Sequence, residues 1–443
     1  MKKVIIGLVV TVAIVGVYYF TFGSKQIVTE VKKEVNREIT ELKNSGFYIE
    51  KKEIQADKEH FVIDFNNTKE ITKYINSQLK DNNITQEDIA LLKGLKVGLD
   101  VEYNPSPKDI MAIDVYPMQL PDIVYQDIQD ENKKQIQTIK DMVKNRELLV
   151  HINFNKFLGF NGYIKDINRD FKLKGAKFSG DLEDDKIINL NKTIDKISYS
   201  LPNKAKFELL NLQLFMSNPM DNTFNNNTKY SIQKVTFKGD ENSSTLIEFN
   251  NISGVSQDTK KDELVNSKSK FDIALLNYNI DGDKGILKNI SSDIKIDNIN
   301  IKALKELNNI LSEDLDEKQS IDRLLPPLKK IVSSNILIDI PNISIEEITQ
   351  GGNKVDGFKL KALIKTDTNF DFKQITNNPL AINNLLDAKI EIEASSQLVN
   401  WLSSNPKAMV IMMILQPIDK NGKKYYNIRF NQGSLKINGK PLM

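Results

Sequence analysis

The sequence predicts an α+β protein, mostly antiparallel β. An N-terminal transmembrane helix is followed by an elongated, curved β-sheet ectodomain with short capping helices. Three observations carry that expectation. An uncharged, mostly apolar run occupies residues 4–22. From residue 47 onward, alternating runs rich in Ile, Phe, Tyr and Val recur between clusters of Asn, Asp, Gly and Ser, the pattern of strands joined by hairpins. Helix-period segments are few and short, and no Pro- or Gly-rich linker divides the exported part, which favours modules sharing a sheet over separate beads.

Lys2 and Lys3 precede the apolar run, whose membrane-facing residues are Val4, Ile5, Ile6, Leu8, Val9, Val10, Val12, Ile14, Val15, Val17, Tyr18, Tyr19, Phe20 and Phe22. As a helix, about 19 residues reach across roughly 30 Å of hydrocarbon. That is longer than the core of a cleaved signal peptide, and no A-x-A pattern closes the run. Residues 1–23 are therefore expected to be a cytoplasmic tip and a transmembrane signal anchor. The two lysines favour a cytoplasmic N-terminus and send the bulk of the chain across the membrane. The Asn-, Lys- and Ile-rich composition hints at a bacterial source.

Behind the anchor, residues 24–46 place Ile27, Val31, Val35, Ile39 and Leu42 at helix spacing, with Gly46 to stop the helix. This amphipathic stalk helix offers its stripe either to its own domain, the simpler reading, or to a short coiled-coil seam. Residues 47–443 form a β-rich exported domain of two or three related modules, with breaks near 147 and 335. The first part reads as strands at 47–49, 61–65, 95–103 and 111–120, with helices at 68–79, from 85 onward and at 126–145. From 147 to 301 the pattern is almost wholly β, with runs such as 150–154, 207–209, 230–237, 246–249, 271–278 and 294–301. Helices at 303–311 and 321–332 follow, and Pro326 and Pro327 are expected to break or kink the second. Strands return at 336–340, 358–364, 388–394, 408–415, 425–430 and 434–437. Strand-then-helix units recur near 61, 294 and 388, which suits duplication of one module and chance repetition equally well.

Composition excludes several classes of function. All 59 acidic residues lie beyond residue 22, and two of the 61 basic ones precede it, leaving 59 of each sign in the exported part. A neutral ectodomain carries no electrostatic footprint for nucleic acid. Without cysteine there is no disulfide, thiolate metal site, thiol nucleophile or lipidated N-terminal cysteine. The two histidines, His60 and His151, each sit beside a strand with no His or Cys close in sequence, and read as strand residues with local hydrogen bonds. Motifs of zincins, serine hydrolases and nucleotide-binding loops are absent. Asp281, Gly282, Asp283 and Gly285 imitate a calcium loop, but Ser292 stands where an EF-hand needs glutamate, so a hairpin turn is expected. Asp181, Glu183, Asp184 and Asp185 read as a solvated turn. No catalytic residue, metal ligand or cofactor is expected.

One segment suggests binding. Residues 408–415 are all apolar, too few to span a bilayer, and form either a buried core strand or the lining of a greasy groove. An ordinary core strand is the simpler reading. In the groove reading the lining is Met409, Ile411, Met412, Met413 and Leu415, with unbranched methionines suited to varied acyl chains. Trp401 precedes it on a short helix with Leu398 and Leu402, where core packing is the default.

Three stretches carry a family resemblance beyond the anchor. They are the strand Gly46, Phe47, Tyr48, Ile49, Glu50; residues 293–304, from Asp293, Ile294, Lys295, Ile296, Asp297 to Leu304; and the ending Gly433, Ser434, Leu435, Lys436, Ile437, Asn438, Gly439, Lys440, Pro441. With them the layout resembles, over nearly its whole length, the YdgA-like family (YdgA and YihF relatives), bacterial envelope proteins of undefined biochemical function. The resemblance implies a single-pass inner-membrane anchor with the large domain in the periplasm, and supplies no active site to transfer. The expected function is non-enzymatic: a β-rich surface or groove that binds lipid or envelope partners, held to the lipid bilayer by the N-terminal helix. A scaffold dimerising through its stalk is the alternative. A carboxylate-based envelope glycan hydrolase ranks last, since no pair of acids stands out.

Overall fold

Alternating sequence and hairpin chemistry give antiparallel pairing throughout the ladders of the computed structural model. The structure describes residues 29–78, 86–126, 133–183, 186–200, 205–219, 225–240, 243–311, 317–366, 384–403, 415–431 and 433–442. The 4–22 anchor and Met409, Ile411, Met412 and Met413 lie outside the described residues. Among the described residues no helix is long and apolar enough to cross a membrane. The chain divides into two compact units, one within residues 1–198 (with 218–220) and one made of 199–217 and 221–443.

The first unit is a sheet with a layer of helices packed on its apolar face. Its strands are β1 (Tyr48–Gln55), β2 (Lys58–Asp64), β3 (Lys96–Tyr103), β4 (Asp109–Gln119), β5 (Val150–Asn155), β6 (Gly159–Ile164), β7 (Ile167–Asn168), β8 (Phe171–Lys174), β9 (Ala176–Glu183) and β10 (Lys186–Ser200). Pairing runs β1–β2–β3–β4–β5–β6–β9–β10, with β7 and β8 forming a small hairpin. Helices α1 (Thr29–Asn44), α2 (Thr68–Gln78) and α3 (Gln86–Ala90) supply the second layer, while α4 (Asp122–Gln126) and α5 (Lys133–Lys144) lie between β4 and β5 in sequence. The α1 stripe of Val35, Ile39 and Leu42 is buried with Ile71 and Ile75 of α2 against Phe61, Leu99 and Ile113 of the sheet. The stalk stripe thus faces its own domain's core. Phe47 meets the rings of Phe65 and Tyr74 edge-on, at 5.2 and 6.0 Å, the preferred aromatic geometry.

Among the described residues, Glu59 is the most deeply buried of the three carboxyl groups buried in this unit, the others being Glu38 and Asp64. The side chain of Glu59 on β2 is wholly buried, 2.7 Å from Lys51 Nζ and 3.4 Å from Lys32 Nζ. Tyr103 Oη donates to it at 2.7 Å. Burial alone would raise this carboxyl, but the hydrogen bonds from Lys51 and Tyr103 and the charges of Lys51 and Lys32 outweigh it and hold the group below the usual glutamate range.

The second unit is built on longer strands: β11 (Lys206–Ser217), β12 (Asn226–Lys238), β13 (Leu246–Lys261), β14 (Leu264–Ile280), β15 (Asp283–Asn300), β16 (Leu337–Gln350), β17 (Asn353–Thr366), β18 (Leu386–Ser395), β19 (Ile418–Lys420), β20 (Lys423–Asn431), β21 (Ser434–Ile437) and β22 (Lys440–Pro441). Each of β11 to β17 pairs with the next; β18 then pairs with β20, which also pairs with β19 and β21, and β22 pairs with β21. The 281–285 segment is the expected hairpin: Ile280 pairs with Asp283, and Asp281 and Gly282 take φ of 51° and 95°, as a type I′ turn demands.

Helices α6 (Ile301–Leu311) and α7 (Glu317–Ser333) separate β15 from β16, and α8 (Ser396–Ser403) follows β18. Asn300 caps α6 by accepting from the amide of Ala303 at 2.9 Å, and Ser395 caps α8 by accepting from the amide of Leu398 at 3.0 Å. Pro326 and Pro327 do not break α7, which is helical on both sides of them. They remove two amide donors, and the helix tolerates that loss while packed against α6 and β15.

Candidate ligand-binding face

The apolar pattern of the second unit changes phase partway along its strands. On β11 it passes from Phe207 and Leu209 to Leu212, Leu214 and Met216. On β12 it passes from Tyr230 and Ile232 to Val235 and Phe237, and on β14 from Phe271 and Ile273 to Leu276 and Tyr278. In a regular strand such a change sends the second set to the opposite face. Here ladder pairing lapses at one line of residues: Asn211, Gln233, Asn251, Ala274, Asn289, Glu346 and Gly357. Register is the same on both sides of this crease; the lapse is one residue wide except between β15 and β16, where it also takes in Ile290 and Ile345. Asn211, Asn251 and Asn289, on alternate strands, take the left-handed backbone with φ of 51°, 53° and 50°, a region asparagine enters more readily than most residues. Asn211 Nδ2 donates to Gln233 Oε1, and Asn289 Nδ2 to Glu346 Oε2. At Gly357 a Cβ would fall 1.9 Å from the Ile345 carbonyl oxygen, so only glycine fits.

The crease keeps the apolar set on one face. Val355 before Gly357 and Phe358 after it pack in one cluster with Leu398 and Val399 of α8, together with Ile348, Ile392 and Tyr426. On one side of the line, registered neighbours form the row Leu209, Val235, Phe249, Leu276, Leu287, Ile348, Val355. On the other side lies Leu212, Ile232, Ile252, Ile273, Ile290. The first row is half-buried along its whole length. Helix α8 covers its β17 end, and α6 and α7 pack on β15; among the described residues no helix packs comparably on β11 to β14. Phe237, next along β12, is 41% exposed.

Leu415, the one groove-lining candidate that is described, packs on the α8 cluster with Trp401 and Leu402. Of the sequence's candidates only Leu415 is thus placed on this face, and the rows of β11–β16 that make up most of it were not among them. Those rows were hidden by the phase change, which breaks each long strand into two short apolar runs.

The first unit holds a feature that sequence spacing conceals. On the sheet face opposite the α1 and α2 layer, register lines up Lys52, His60, Asp100, Asp114, His151, Tyr163 and Lys177 across neighbouring strands. Both histidines thus stand in one row, each bonded through Nδ1 to an aspartate Oδ1 at 2.6 Å. Asp100 also accepts from Arg146 Nη1 at 2.8 Å and from Tyr116 Oη at 3.0 Å. The Arg146 guanidinium lies 3.8 Å from the centre of the Tyr116 ring, and His151 stacks on Tyr163 at 5.0 Å. Burial and the Asp100 carboxylate push the Tyr116 hydroxyl well above the usual tyrosine range, so it remains a donor. Among the described residues no group of three or more acidic or histidine side chains is disposed to hold a metal ion. The Asp281 loop is a plain hairpin.

Comparison of the chain with models of protein families, with curated proteins and with solved structures finds no match.

Proposed function

We propose that this protein is a non-enzymatic binding protein of the bacterial envelope, anchored in the inner membrane by residues 4–22. In this reading its periplasmic second unit receives lipid acyl chains on its apolar face. The observation that carries the reading is the row from Leu209 to Val355: seven registered apolar residues, half-buried, with no helix among the described residues packed on β11 to β14 as α6 and α7 are on β15. Six inter-strand steps of about 4.8 Å make the row roughly 29 Å long. One leaflet's hydrocarbon is about 15 Å deep, so a whole acyl chain fits along it. A contiguous apolar patch on this scale marks an interaction site, and an anchor in the bilayer keeps it beside a store of such chains. The YdgA-like resemblance supports the same compartment.

The test is lipid extraction. The full-length protein, purified in a mild detergent and washed, is expected to retain phospholipid that the double variant Phe249→Asp, Leu276→Asp loses while keeping its β-sheet circular dichroism. Equal lipid content in the two folded proteins would refute the reading.

A further inference from the structure

Several lysines on the second unit's sheet are matched to acids on neighbouring strands, although Lys206 and Lys238, and Lys268 and Lys295, also stand opposite each other in register. Lys234 sits 2.6 Å from Glu248, Lys288 and Lys354 sit 2.8 and 2.6 Å from Glu347, and Lys295 sits 3.3 Å from Asp339. The β18–β20–β21 region carries a row of such opposed cations across three strands. Lys389 pairs in register with Arg429, and Arg429 with Lys436, so three cations stand directly opposite one another on adjacent strands. Like charges in that relation destabilise a sheet. Lys389 has Glu391 at 2.5 Å, whereas among the described residues Arg429, Lys436 and Lys365 make no ion pair.

The next row on the same face is Lys365, Asp387, Asn431, Ser434. Together the two rows line an open concavity of about 600 Å³, to which Asp387 contributes the one acidic side chain. The side chains of the row between them, Ile364, Ala388, Phe430 and Leu435, belong to the opposite, apolar face, because successive side chains alternate. This concavity is therefore separate from the acyl-chain face.

We propose that it is an oxyanion site for a phosphate-bearing group, with Arg429 central, Lys389 and Lys436 flanking it, and Lys365, Asn431 and Ser434 as further donors. A guanidinium offers a planar fork that matches phosphate oxygens, and lysines add point charge. The bound anion offsets the repulsion within the row. The phosphate belongs to a lipid headgroup or to a soluble phosphoryl compound; both present the same dianionic or monoanionic oxygens.

The experiment titrates inorganic phosphate, at constant ionic strength against chloride, into the full-length protein in phosphatidylcholine nanodiscs, reading thermal midpoint and calorimetric binding. Phosphate is expected to raise the midpoint, and the Arg429→Gln, Lys436→Gln double variant to bind it at least ~10-fold more weakly. Arg429→Glu places an acid between Lys389 and Lys436. It is expected to raise the midpoint without phosphate and to abolish the phosphate response, a pair of opposite effects that a purely structural arginine does not give. Weaker phosphate binding in phosphatidylglycerol discs would identify a bilayer headgroup as the source; equal binding in both discs would identify a soluble one. No phosphate response in the unaltered protein, or a response that survives Arg429→Glu, would overturn the proposal.

Discussion

Asn211 on β11 faces Gln233 on β12 between the registered pairs Leu210–Lys234 and Leu212–Ile232, and its side-chain amide donates to the glutamine. The backbone of Asn211 is left-handed there, and the same lapse recurs strand by strand to Gly357. This line decides which residues of the second unit share a face.

Because the crease rests on residues that accept positive φ, a β-branched side chain at Asn251 is expected to destabilise the protein. Asn251→Val should cost about 1–2 kcal/mol, whereas Asn251→Gly should be close to neutral. Urea unfolding followed by circular dichroism measures both. A cost for glycine equal to that for valine would show that the backbone conformation is not what matters.

The buried Glu59 carboxylate of the first unit makes stability depend on acid. Glu59 titrates below its unfolded value, so its contribution is fully present above about pH 4.5 and is lost as pH falls through the lower, folded value. Lys51→Met removes its nearest cation and is expected to cost about 2–3 kcal/mol at neutral pH. Glu59→Gln is expected to flatten the acid limb of the stability curve. Unfolding midpoints between pH 3 and 7 check both expectations; an unchanged acid limb in Glu59→Gln would contradict the assignment.

Helix α8 closes one end of the apolar face by burying Leu398 and Val399 against Tyr426 and Ala394. Leu398→Ala leaves a cavity there and should cost about 2–4 kcal/mol. Ser395→Ala removes the cap on the Leu398 amide and should cost about 1 kcal/mol. Thermal unfolding distinguishes them by size. If Leu398→Ala proved as mild as Ser395→Ala, the helix would not be seated on the sheet as described.

Much of this architecture is legible in the sequence. Alternation identified antiparallel β as the dominant structure, the spacing of Val35, Ile39 and Leu42 identified α1 and its apolar stripe, and Asp281-Gly282 identified a hairpin. Strand lengths were not legible. The 264–270 part of β14 is largely Asn, Ser and Lys, and belongs to the strand because neighbouring strands pair with it, not because its side chains seek a core. The crease leaves a mark, a change from odd to even apolar positions at Asn211 and Asn251, but a lone phase change also describes two short strands separated by a turn. Only register shows that seven such changes fall in line. His60 and His151 are far apart in sequence, and their common row with Asp100 and Asp114 exists because three intervening strand pairings bring them together. The basic row on β18, β20 and β21 was hidden for the same reason.

The most direct test of the acyl-chain reading uses the two faces of one strand. A photo-crosslinking residue is placed at Phe249, in the apolar row, or at the adjacent Glu248, on the opposite side of the sheet, in the full-length protein within its native membrane. Crosslinks to phospholipid from position 249 and none from position 248 are predicted. Crosslinks to phospholipid at equal yield from both, or from neither, would contradict the reading.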